Sequence, residues 1–182
     1  MKDEIILIKE VVARLGHAGI EYMLTGSLAM TIYTAPRMTR DVDMVVQLNV
    51  EDVGRLVALF QHDFYIDGPS VREAIIHRRM FNIIHDDSAV KIDFIVLKDQ
   101  EYRLTEFARR RMVDLDGVGI KVVAPEDLIL SKLVWAKSSR SELQLRDVRQ
   151  LLMVKSLDVA YMDHWADTLG VASLLTEVRK SA

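Results

Sequence analysis

Three aspartates and one Gly-Ser pair are the residues of this chain whose types and spacing could do chemistry. Asp41 and Asp43 stand one residue apart at the head of DVDMVVQL, an apolar run that reads as a strand. Residues i and i+2 of a strand point the same way, so Asp41, Asp43 and Val45 share one face and Val42, Met44 and Val46 the other. Two carboxylates so placed repel each other and resist losing water, so something positive must sit between them. Paired carboxylates suit a hard divalent cation such as Mg2+, which keeps waters and bridges to phosphate oxygens. A third carboxylate, Asp93, lies in AVKIDFIVL, alternating with Ile95 and Leu97 against Val90, Ile92, Phe94 and Val96. In mid-strand it requires a metal or an arginine partner. Gly26-Ser27 closes GIEYMLTG and opens a helix, where backbone N–H groups favour phosphate oxygens. If the strands at 20–25 and 42–48 pair antiparallel, the glycine turn comes beside Asp41 and Asp43. Each feature alone also has a plain structural reading: a turn, a loop cap, an ion pair. Arg37 and Arg40 flank the aspartates, placed either to meet phosphates or to pair with Asp41 and Asp43.

The surrounding pattern predicts the elements that must position these residues. Ile5, Ile8, Val11, Val12 and Leu15 recur at helical spacing, so residues 3–18 read as an amphipathic helix. A short helix is expected from Ser27 to Tyr33, and Pro36 ends that region. Asn49 is placed to cap a helix over 50–60, and Pro69-Ser70 starts another. RMFNIIH and AVKIDFIVL, joined by Asp86-Asp87-Ser88, read as a β-hairpin. A charged helix covers about 100–110, Asp114 and Asp116 read as turn residues, and one more strand runs from Val118 to Val123. From Pro125 onward everything reads as helix, with Trp135 and Trp165 at positions suited to core packing. The expected fold class is α+β: a mixed sheet in a core over 1–123, with a helical C-terminal region, 124–182, packed on it.

Composition narrows the classes. Half of the 182 residues are hydrophobic, and the net charge of −3 argues against coating nucleic acid through an overall field. Cysteine is absent, which excludes disulfides, zinc-thiolate sites and cysteine nucleophiles. The opening MKDEIILIKEVVARLGHAG is charged throughout and is expected to be neither signal peptide nor membrane span, so a cytoplasmic protein is expected. Arg109 to Arg111 form the one dense basic run, read either as a solvated face or as an RNA contact. The five histidines show no metal-ligand spacing.

The order LTGSLAM, then RMTRDVDMVV, then VKIDFIVL resembles the DNA polymerase β-like nucleotidyltransferase superfamily. Its signature is a strand ending in Gly-Gly or Gly-Ser, a helix, a strand starting Asp-x-Asp, and a later carboxylate on another strand. The Arg-x-Thr-x-Asp-x-Asp form at Arg37 to Asp43, with APEDLILSKLVWA and LQLRDVRQLL, is similar to the bacterial branch of AbiEii-type toxins, so the resemblance spans about 20–150. Leu28-Ala29-Met30 departs from it, standing where classical members carry an arginine-containing turn. The resemblance implies transfer of a nucleoside monophosphate from an NTP to an acceptor hydroxyl on tRNA, a small molecule or a protein, with Mg2+ or Mn2+. It implies metal binding by Asp41, Asp43 and Asp93, with Asp93 helping to deprotonate the acceptor, and phosphate binding by Gly26 and Ser27. It further implies that Lys132 reaches the triphosphate and Asp147 helps position it. From the residues alone, Lys132 reads equally as a solvated helix lysine and Asp147 as a partner of Arg146 and Arg149. An antitoxin-like protein partner is a further expectation of that branch. The reading from another class is a non-catalytic nucleotide-binding or protein-interaction module on the same fold.

Overall fold

The computed structural model describes residues 2–35, 41–139 and 141–181, so Arg37 and Arg40 lie outside the described residues. The apolar runs form seven strands: β1 (Tyr22–Thr25), β2 (Val42–Val46), β3 (Phe64–Tyr65), β4 (Met80–His85), β5 (Lys91–Val96), β6 (Arg111–Leu115) and β7 (Val118–Val122). They hydrogen-bond into one sheet in the order β3-β4-β5-β2-β1-β7-β6. β1 runs antiparallel to β2 and parallel to β7, and β2 runs parallel to β5, so the sheet is mixed. The helices are α1 (Lys2–His17), α2 (Gly26–Tyr33), α3 (Val53–Phe60), α4 (Gly68–Ile76), α5 (Glu101–Ala108), α6 (Pro125–Ser139), α7 (Glu142–Leu151), α8 (Val159–Thr168) and α9 (Ala172–Lys180).

The alternation read from the sequence sorts the two faces of the sheet. Register pairs Leu24 with Met44, Met44 with Phe94 and Phe94 with Phe81, so all four lie on one face. That face, with Val42, Val46, Ile92 and Val96, is buried. Phe60 of α3 packs on it, 6.0 Å from Phe94 between ring centroids, and Arg14 of α1 lies over the Phe60 and Phe64 rings. Each such buried side chain stabilises by about 1.5–3 kcal/mol. A one-residue slip of β2 or β5 would exchange these side chains for Asp43 and Asp93, so the apolar face also fixes where the aspartates point. The opposite face carries Thr25, Asp43, Val45, Asp93 and Ile95, and the helices after β7 roof it.

The helical third centres on α6, which packs against α2, α7, α8 and α9. Leu128, Ile129, Leu130 and Leu133 are all buried, so α6 is enclosed on most sides. No helix among the described residues is long and apolar enough to cross a membrane.

Three expectations change. Residues 111–115 form β6, antiparallel to β7, so Asp114 sits in a strand, although its carboxylate still accepts from the Gly117 N–H in the turn. Edge pairing along VGIKV supplied the partner that RMVDL needs to be a strand. The basic run is not a free cationic patch: Arg109 pairs with Asp127, Arg110 with Glu21 and the exposed Arg111 with Glu126. Trp165 is buried as expected, but Trp135 is 65% exposed, because α6 turns that side toward an open cleft.

The ion pairs at the start of α6 join the two parts of the chain. Asp127 is fully buried, bound by Arg109 Nε at 3.1 Å and by the Tyr161 hydroxyl of α8 at 2.5 Å. Carboxylates in a first helical turn also face the positive end of the helix dipole. Removing this carboxylate leaves Arg109 with Glu126 alone, at 3.5 Å, and takes the acceptor from the Tyr161 hydroxyl, which costs about 1–3 kcal/mol. Asp127→Ala is therefore expected to lose about that much stability in urea titration. An unchanged unfolding midpoint would show that the clamp contributes nothing.

Candidate active site

The register of β1, β2 and β5 gathers the sequence-predicted residues. Antiparallel pairing sets Thr25 opposite Asp43, and parallel pairing sets Asp43 opposite Asp93. Gly26 follows at the end of β1 with φ +68° and opens α2. The Asp43 carboxylate lies so close that a Cβ at position 26 would stand 1.9 Å from its Oδ2. Glycine is thus required both for its left-handed backbone and for the carboxylate packed against it. The Thr25 side chain makes no cap hydrogen bond and α2 has no acidic residue in its first turn, which leaves this helix end suited to an anion.

These residues line one cleft of about 670 Å3. Its ionic and polar lining includes Gly26, Ser27, Asp41, Asp43, Asp93, Lys91 and Lys132, and its apolar lining includes Met80, Ile95, Leu128, Leu143 and the exposed Trp135. Arg103, Glu106 and Ser131 also line it and bond one another. Glu106 accepts from Arg103 at 2.7 Å and from Ser131 at 2.6 Å, and burial pushes its carboxyl up from the usual range.

The acidic pair determines the electrostatics. Asp43 is pushed up to about 6, first by burial, then by Asp93 and Asp41, against the opposing pull of Lys132 and Lys91. Lys91 Nζ lies 2.8 Å from Asp93 Oδ2, while Asp93 Oδ1 is buried without a hydrogen-bond partner among the described residues. Lys132 is only 5% exposed, so it is not the solvated lysine of the alternative reading. Its ammonium binds Asp147 Oδ2 at 2.8 Å and Gln144 Oε1 at 3.1 Å. Asp147 is thereby the partner of Lys132 rather than of Arg146 or Arg149 alone.

Asp41 precedes β2 and is exposed at the cleft edge, and no group of three or more carboxylates or histidines is arranged to hold a metal among the described residues. The donor set fits a divalent cation at the Asp43–Asp93 pair. Two carboxylates sit in adjacent register, one is raised by its neighbours' charge, and the other has a buried oxygen without a partner. Lys91, Gln144 and Trp135 were missed as cleft residues. Lys91 was legible, since it precedes Asp93 by two on the same strand face. Gln144 and Trp135 come from helices whose placement over the sheet carries no local signal.

No protein-family model matches the chain, and none of the curated proteins matches it. Solved structures do. An antigenic nucleotidyltransferase-like protein from Paracoccidioides brasiliensis is similar at TM-score 0.58 and 17% identity, over 98% of this chain and 93% of that one. ANT(2'')-Ia in complex with adenylyl-2''-tobramycin gives TM-score 0.62 and 13% identity, over 92% and 97%. The lincosamide antibiotic adenylyltransferase LnuA, lincomycin-bound, gives 0.55 and 12%, over 85% and 98%. The chain has the α+β nucleotidyltransferase fold.

Two outcomes follow from the acidic pair. The folded pKa of Asp43 lies above its ordinary value of 3.8, so the folded state binds that proton more tightly. Its favourable contribution is complete below 3.8 and is lost as pH rises through about 6. In EDTA, Asp43→Asn is therefore expected to be more stable than wild type at pH 7.5, by about 2 kcal/mol. The gain should vanish toward pH 4 in thermal melts, and a pH-independent difference would contradict the burial argument. Gly26→Ala is expected to lose more than about 1 kcal/mol from backbone strain alone. It should also displace Asp43 and weaken Mn2+ binding measured by calorimetry, whereas an undiminished affinity would show that the close approach is dispensable.

Proposed function

We propose that this protein transfers a nucleoside monophosphate from an NTP to a hydroxyl of a small-molecule acceptor. The observation that carries the reading is the in-register Asp43–Asp93 pair beside the glycine turn that opens α2, within one cleft. The nucleotidyltransferase fold shared with ANT(2'')-Ia and LnuA supports it. Asp43 and Asp93, with Asp41 at the rim, would hold Mg2+ or Mn2+, which supplies positive charge against the phosphates when bound. Gly26 and Ser27 bind β- and γ-phosphate oxygens through the start of α2. Lys132, oriented by Asp147 and Gln144, adds a fixed positive charge in the same cleft. The acceptor oxygen bonds to the α-phosphorus, the bond to pyrophosphate breaks, and Asp93 takes the acceptor's proton.

A small acceptor is favoured over tRNA by the shape and charge of the cleft. Its volume is in the range of pockets that enclose drug-sized ligands, its lining includes Met80, Ile95, Leu128, Leu143 and Trp135, and Arg109 to Arg111 are held in ion pairs. ANT(2'')-Ia in complex with adenylyl-2''-tobramycin and lincomycin-bound LnuA supply first acceptors to try.

The test is pyrophosphate release from each NTP with Mg2+, in the presence of lincomycin, tobramycin, cell metabolites or total tRNA. Acceptor-dependent release with a small molecule is expected. Asp93→Asn keeps side-chain size but loses the charge of a metal ligand, so it should fold as wild type and bind MgNTP more weakly. It should lose about 10²-fold in transfer, the scale of deleting a general base. NTP binding without release for any acceptor would mark a binding module instead. Full transfer by Asp93→Asn would remove that residue from the reaction.

A further inference from the structure

The positive charge demanded by the aspartates is already present in the chain. Lys91 precedes Asp93 by two residues on β5, so both side chains rise from the same face of the sheet. Its ammonium bonds Asp93 Oδ2 at 2.8 Å. Continuing the β2–β5 register by one residue brings Lys91 level with Asp41. Lys132, another cation that lines the cleft, is bound to Asp147 and Gln144 instead.

We infer that the Lys91 ammonium takes the place of a second divalent ion at Asp93, so that the site binds one metal ion per chain rather than two. The inference rests on the nucleotidyl-transfer reading and specifies how that site is charged. A divalent ion and an ammonium cannot both occupy the Asp93 Oδ2 position, because like charges in contact exclude each other. Asp43 and the buried Asp93 Oδ1 remain for the single ion. The absence of a three-carboxylate metal group among the described residues agrees with this division. Lys91 is then a positioning residue: it fixes the Asp93 carboxylate and sets the metal count.

Mn2+ is titrated calorimetrically into the full chain, with and without a non-hydrolysable ATP analogue, and bound Mn2+ is counted by its paramagnetic signal. Wild type is expected to bind one ion. Lys91→Met should bind a second, or bind the first about 10-fold more tightly, the scale on which neighbours of metal ligands change affinity. Lys91→Arg, which keeps the charge, should behave as wild type. The Lys91 side chain is 37% exposed, so neither variant loses core packing, and Lys91→Gln provides a second neutral form. Two ions in wild type would overturn the inference. So would unchanged stoichiometry and affinity in both neutral variants while Asp43→Asn abolishes binding, and in that case the metal-site reading would stand. No Mn2+ binding by any of the proteins would overturn both.

Discussion

The structure depends on one electrostatic constraint: carboxylates on adjacent strands of a mostly buried sheet. Asp43 and Asp93 face each other across β2 and β5, and burial together with mutual repulsion raises Asp43 well above an ordinary aspartate. Such a pair persists only where positive charge is held near it. The fold brings two lysines by different routes. Lys91 comes from the same strand as Asp93, and Lys132 from α6 on the roof of the cleft. The sheet therefore provides the negative half of the site, and one strand and one helix provide the positive half.

The apolar face makes this arrangement affordable. Ile92, Phe94, Val42 and Met44 lock the register against α1 and α3, and their burial outweighs the unfavourable charge on the other face. Gly26 completes the geometry: its missing side chain lets Asp43 pack against the turn that begins α2. The start of α2 and the Asp43–Asp93 pair are thereby held together by the adjacent strands β1, β2 and β5. The clamp of Arg109, Asp127 and Tyr161 works at a distance from the site. It ties the end of α5 to α6 and α8, and so fixes the helix that carries Lys132 and Trp135.

The cleft combines ionic lining around Gly26 and Asp43 with apolar side chains such as Met80, Leu128 and Trp135, and its Arg103–Glu106–Ser131 cluster is satisfied internally. The arginine run, the most basic segment of the sequence, is engaged in ion pairs with Asp127, Glu21 and Glu126.

The sequence by itself determined the strands and helices around the aspartates, because their signal is local. Period-2 alternation in DVDMVV and VKIDFIV, the Gly-Ser turn, and the helical run after Pro125 each depend on neighbours a few residues away. The same alternation put Asp43 and Asp93 on polar strand faces. Only the tertiary structure decided that these faces meet in register, since the β2–β5 pairing joins segments some fifty residues apart. It alone decided that RMVDL is a strand, because an edge strand needs its partner, and that Trp135 is exposed, because a helix position suited to packing is buried only where something covers it. It also resolved the two readings of Lys132. A lysine on a helix between leucines has no fate until another helix places Asp147 and Gln144 within hydrogen-bond reach.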